Sequence, residues 1–135
     1  MHASIGARRP ARFFFYGTLR DAARVNAVVG PASGWRRVAA GSISGRMYDV
    51  GPYPALRPGR TAAERVRGVV IEFANGAAAL PLLDAYEEAV AATLYVRRRC
   101  RVRLTNGRTL TAWVYVYNRP VTGLQRIAGG DWMHR

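Results

Sequence analysis

Apolar and polar positions along the chain follow two rhythms, and these divide it into strands and helices. "RFFFY", Arg12–Tyr16, is aromatic almost throughout, which predicts a buried strand. "GTLRDAARVNAVVG" predicts a turn and then a short helix closed by Gly30. "WRRVAAGSISGRMYDV" predicts a strand or bent hairpin, with bulges at Gly41 and Gly45. "GPYPALRPGRTAAE" predicts a proline- and glycine-rich loop, of a length that is usually functional. "RVRGVVIEFA" predicts a strand, and Asn75-Gly76 then opens a helix through "AAALPLLDAYEEAVA", with Pro81 in its first turn. "LYVRRRCRVRL" and "RTLTAWVYVYN" predict two strands joined at Asn106-Gly107, a strong hairpin signal. The tail, "RPVTGLQRIAGGDWMHR", is turn-rich and is expected to wrap the surface. The class is α+β: a small mixed, mostly antiparallel β-barrel of about six strands with two short helices. Residues 1–11 read as a flexible leader and 12–135 as a single domain.

The second helix carries a carboxylate where an apolar residue belongs. Successive helical residues lie ~100° apart. Leu80, Leu83, Tyr86 and Val90 then form one stripe, and Glu87 falls within it. Asp84 sits at the stripe's edge and Glu88 points to solvent. A buried, unpaired carboxylate costs several kcal/mol when charged. Burial raises its pKa, which suits a general acid or base near neutrality. The alternatives are an exposed helix end and a buried salt bridge to an arginine. On the last long strand, Trp113, Tyr115 and Tyr117 share one face and Val114 and Val116 the other. Both faces suit burial, and the tyrosines serve either as core or as pocket wall.

Charge changes the picture less than its size suggests. The net charge is +13, and all 21 basic residues are arginine. That balance favours phosphate-bearing partners; GC-rich coding, with its many alanines and glycines, explains it equally. In "YVRRRCRVR", Arg97, Arg99, Arg101 and Arg103 alternate with Val96, Cys100 and Val102, with Arg98 breaking the apolar side. This is a solvated antiparallel strand rather than the interleaving of aromatic and basic residues seen in single-strand binders. The expectation is no nucleic-acid partner. No apolar run approaches the ~20 residues of a membrane span, and the N-terminal stretch lacks the features of a secretory signal. The lone Cys100 allows no internal disulfide and no metal motif, so a cytoplasmic protein is expected. Neighbouring arginines would lower the Cys100 pKa; burial as a small core residue is the plainer reading.

Taken in order, these blocks resemble the γ-glutamylcyclotransferase-like family, including its γ-glutamylamine cyclotransferase and bacterial YtfP-type members. "FFFYGTLR" is similar to the family's aromatic strand ending in Tyr-Gly-Ser/Thr-Leu, "MYDVGPYPALRPG" to its second block, and "VRGVVIEF" to its glycine-containing strand. "LLDAYEEAVAATLYVRRRCRV" resembles its Leu-Asp-x-Tyr-Glu segment with a following Tyr-x-Arg, and the C-terminal block is similar to the YtfP-type end. Each block is weak alone; their shared order from Phe13 onward makes the resemblance strong. It implies a barrel with a small-molecule site and no metal or other cofactor. It also implies Glu87 as the catalytic acid/base, with Tyr16, Gly17, Thr18, Leu19 and Tyr95 binding substrate. The implied reaction converts a γ-glutamyl amine or amide to 5-oxoproline and a free amine. Two departures stand out: Glu88 replaces a frequent glycine, and the segment between Glu87 and Tyr95 is alanine-rich. A non-catalytic binding module of the same fold and an arginine-rich nucleic-acid binder are the other readings. The leaving amine and the oligomeric state are left open.

Overall fold

A computed structural model describes residues 9–30, 33–87 and 94–135. The predicted leader lies mostly outside these residues, as do Glu88 and Val90 of the helix stripe. Five strands close the barrel in the order β1 (Ala11–Phe15), β5 (Arg65–Phe73), β2 (Trp35–Ser44), β6 (Tyr95–Leu104) and β7 (Thr109–Tyr117). All pairs are antiparallel except the closing one, where β1 runs parallel to β7 with Phe13 opposite Trp113. A second antiparallel sheet holds β3 (Arg46–Asp49) between β4 (Pro54–Arg57) and the short β8 (Gln125–Arg126). The helices are α1 (Ala22–Val29) and α2 (Gly76–Tyr86), with 3-10 turns at Thr18–Arg20 and Trp132–His134.

The aromatic run explains itself through two cores. Phe14 joins Ile43, Val66, Val70, Val102 and Val114 in a cluster drawn from all five barrel strands, which therefore fills the barrel. Phe13 and Phe15 face the other way. They stack on each other at 5.6 Å, meet Phe73 edge-on, and pack with Val25, Ala79 and Leu83 of the two helices. Strand β1 is thus buried on both faces, and period two distributes its phenylalanines between the two cores.

Several elements differ in detail from the pattern-based expectation. The irregularity in β2 falls between Arg37 and Ala39, not at Gly41 or Gly45. Gly41 instead admits the Arg103 carbonyl, 2.7 Å from where a Cβ would stand. Gly45 lies where the chain leaves the barrel for the second sheet, with Leu56 against it. The expected loop from Gly51 to Glu64 contains β4, because Pro54 stands first in that strand, where proline is tolerated. Its remainder is tied down by Glu64, which accepts the Arg60 and Thr61 N–H groups and pairs with Arg46 and Arg126. Pro81 sits inside α2 rather than in its first turn, since the helix starts at Gly76 with the Asn75 side chain capping Ala78 N–H. The hairpin at Asn106-Gly107 forms as expected, with Gly107 at φ +87°. Among the described residues no helix is long and apolar enough to cross a membrane.

Candidate active site

The turn after β1 and the end of α2 meet. Gly17 precedes a 3-10 turn in which Arg20 and Asp21 donate back to the Gly17 and Thr18 carbonyls. The N–H groups that open such a turn have no acceptor within it. Gly17 needs no left-handed conformation, its φ being −118°. Its advantage is space, since a Cβ there would crowd Pro54 at 3.1 Å. Leu19 is buried in the outer core and pins the turn.

Helix α2 approaches β1 closely because its buried face is small: Gly76 and Ala79 are buried with Leu83. Its last regular residue is Tyr86, and Glu87 caps it, donating its N–H to the Leu83 carbonyl at 3.0 Å. Tyr86 was expected in the buried stripe. It is 36% exposed, because the helix ends there and its hydroxyl turns to Thr18 Oγ1 at 2.9 Å.

Glu87 keeps the inward position that the helical spacing predicts. Burial pushes its carboxyl up to about 7, although part of the side chain remains accessible. Its charge is felt by the phenols of Tyr16, Tyr95 and Tyr115, whose pKa values burial has already raised. These tyrosines therefore stay protonated and act as donors. Tyr16 donates to the Tyr115 carbonyl at 2.5 Å, Tyr95 to the Pro54 carbonyl at 2.7 Å, and Tyr115 to Asp84 Oδ1 at 2.7 Å. Tyr53 and Tyr117 meet the Tyr95 ring edge-on. Arg97, opposite Tyr115 on the neighbouring strand, reaches Asp84 at 3.5 Å and lies over Trp113. Among the described residues, Tyr115→Phe would leave Asp84 with only that longer contact. It is expected to cost about 1–2 kcal/mol, read as a lower midpoint in denaturant titration.

Tyr16, Gly17, Thr18, Leu19, Tyr95 and Glu87 are thus brought together around one corner of the molecule. Tyr16, Leu19 and Tyr95 are themselves buried, so their side chains pack into the cores behind this corner rather than forming an open binding surface. Sequence reasoning missed Pro54 and the hydroxyl of Tyr86. Only the placement of Tyr86 directly before Glu87 hinted at the second; nothing in the pattern marked the first. Cys100 carries no activated thiol, because burial pushes it up to about 11.

The closed five-stranded barrel thus sets a raised carboxylate among protonated tyrosines. Residues 13–134 match the family described as "Gamma-glutamyl cyclotransferase, AIG2-like". The chain is 36% identical over 90 residues to the γ-glutamylcyclotransferase family protein YtfP of Escherichia coli K12, covering 67% of this chain and 69% of YtfP. The solution structure of E. coli YtfP superposes with a TM-score of 0.64 at 32% identity, over 90% of this chain and 96% of that one. YkqA from Bacillus subtilis gives a TM-score of 0.69 at 18% identity; the match covers 93% of this chain but 40% of YkqA. An AIG2-like protein from Mus musculus gives 0.65 at 24% identity, over 80% of this chain and 77% of that one. The last two share the fold alone. The chain belongs to the γ-glutamyl cyclotransferase, AIG2-like family.

Proposed function

We infer that the protein is a metal-independent cyclotransferase that converts a γ-glutamyl amine or amide to 5-oxoproline and a free amine. The observation that carries this reading is the Glu87 carboxyl, pushed up to about 7 by burial at a helix end that the Tyr86 hydroxyl ties to Thr18 of the Gly17–Leu19 turn. The substrate's α-amino nitrogen attacks its own γ-carbonyl carbon and closes a five-membered ring. Glu87, as carboxylate, accepts the proton that nitrogen loses. The oxyanion of the tetrahedral intermediate takes hydrogen bonds from the N–H groups of the turn. When the intermediate collapses, the bond to the leaving nitrogen breaks and Glu87 returns the proton to it. No water or cofactor is consumed. Because the attack is intramolecular, the site's main task is to select the folded conformer of the substrate. The reading sets the protein in the cytoplasm, supported by a lone Cys100 without a disulfide partner.

The test is release of 5-oxoproline from a panel of γ-glutamyl amino acids and γ-glutamyl amines. Turnover of one or more members is the expected result. Saturable binding without product would instead select a binding module of the same fold.

A further inference from the structure

A cleft of about 480 Å³ opens on the other flank of the same turn. Gly17 and Thr18 form its inner edge, and Trp132 and Met133 supply an apolar wall. Three guanidinium groups line it: Arg20, Arg24 and Arg37. Arg20 is committed to Asp131 at 2.8 Å. Neither Arg24 nor Arg37 has a carboxylate partner among the described residues. Asp21 is the one carboxylate in the wall. Arg135, stacked on Trp132 at 3.6 Å, adds a further cation beside that wall. The cleft joins the Glu87 corner at a definite point. Arg24 reaches the Tyr86 hydroxyl at 3.5 Å, the same hydroxyl that bonds Thr18, and Tyr86 directly precedes Glu87.

We propose that this cleft is the leaving-group subsite, and that Arg24 and Arg37 make it select a leaving amine that carries carboxylates over a neutral or cationic one. The inference rests on the cyclotransferase reading. If the oxyanion sits on the N–H groups of the turn, the bond that breaks points away from the confined glutamyl moiety. The leaving nitrogen then departs across Thr18 into the cleft. A concave site with an excess of one charge sign concentrates ions of the opposite sign. Guanidinium forks match carboxylates in geometry as well as charge. A polyamine conjugate would instead bring ammonium groups against Arg24 and Arg37, an unfavourable juxtaposition that itself gives specificity. The cleft's volume falls in the usual range for small-molecule sites.

Calorimetric titration of the Glu87→Gln protein with γ-glutamylglutamate and with γ-glutamylbutylamide tests this without relying on turnover. The acidic ligand is expected to bind at least about tenfold more tightly. Arg24→Gln/Arg37→Gln in the same background should bring the two affinities within about threefold. Arg98→Gln/Arg108→Gln removes the same charge from exposed positions away from the cleft and should leave the preference intact. Equal affinities in the parent, failure to bind either ligand, or a preference that survives loss of Arg24 and Arg37 each overturn the subsite. Failure of the underlying reaction reads differently: the unsubstituted protein would bind γ-glutamylglutamate with the same preference and release no 5-oxoproline.

Discussion

Glu87→Gln is expected to lower kcat for 5-oxoproline release by roughly 10²- to 10⁴-fold, the usual contribution of a positioned general base. The amide keeps the shape of the side chain but cannot take the proton from the attacking nitrogen. In the unsubstituted protein, kcat/KM should rise with pH and level off above about 7, where Glu87 is ionised. The same substitution should stabilise the fold at alkaline pH. The folded-state pKa of about 7 lies above the ordinary 4.5. Below pH 4.5 both folded and unfolded chains hold the proton, and the full stability is present. Between 4.5 and 7 the unfolded chain loses its proton first, so stability falls as pH rises. That loss is complete above 7 and amounts to at most about 3 kcal/mol, reduced because the side chain keeps part of its surface in water. Denaturant titrations at pH 4 and pH 8 would show the Gln variant gaining on the parent only at the higher pH. A parent with no such slope would mean that Glu87 titrates as an ordinary surface carboxylate.

Gly68→Ala should destabilise the fold by about 3 kcal/mol, the upper part of the range for overpacking. Its added methyl group would run into the Phe15 carbonyl, a backbone atom that cannot rotate aside, and would stand 2.7 Å from the Phe14 ring. Gly68 pairs with Gly41 of β2, so two strands narrow at one level of the barrel. For a chain of this size the loss corresponds to roughly 10 °C in Tm. Phe15 lies two residues before Gly17, so the strain enters the turn that forms the proposed oxyanion site. Surviving enzyme should therefore show reduced kcat as well as reduced stability, whereas an unchanged Tm would show that β1 and β5 can part at no cost.

Much of this architecture was legible in residue order. The Phe13–Phe15 run marked a buried strand, Asn106-Gly107 marked the hairpin between β6 and β7, and Gly30 marked the end of the first helix. Glu87 was legible because helical spacing is regular: four residues beyond Leu83 the chain has turned back to the same face. The interruption of that stripe was less legible. Whether Tyr86 turns inward depends on where the helix stops and on the tertiary contact its hydroxyl makes with Thr18, neither of which helical spacing gives. Pro54 could not be found by pattern, because its role is a carbonyl for Tyr95 and a wall for Gly17, and neither follows from its side-chain type.

Local periodicity and turn chemistry therefore determined most elements, the burial of β1 and the inward carboxylate, since each depends on neighbours a few residues away. Only the tertiary structure decided how many strands close the barrel and that β4 pairs into a separate sheet. It also decided that Tyr16, Tyr95 and Tyr115 surround Glu87, and that Arg24 and Arg37 face one cleft. These arrangements join residues far apart in the chain, 99 positions in the bond from Tyr16 to Tyr115. Contacts across such separations are chosen by how strands close and side chains pack, which no local pattern encodes.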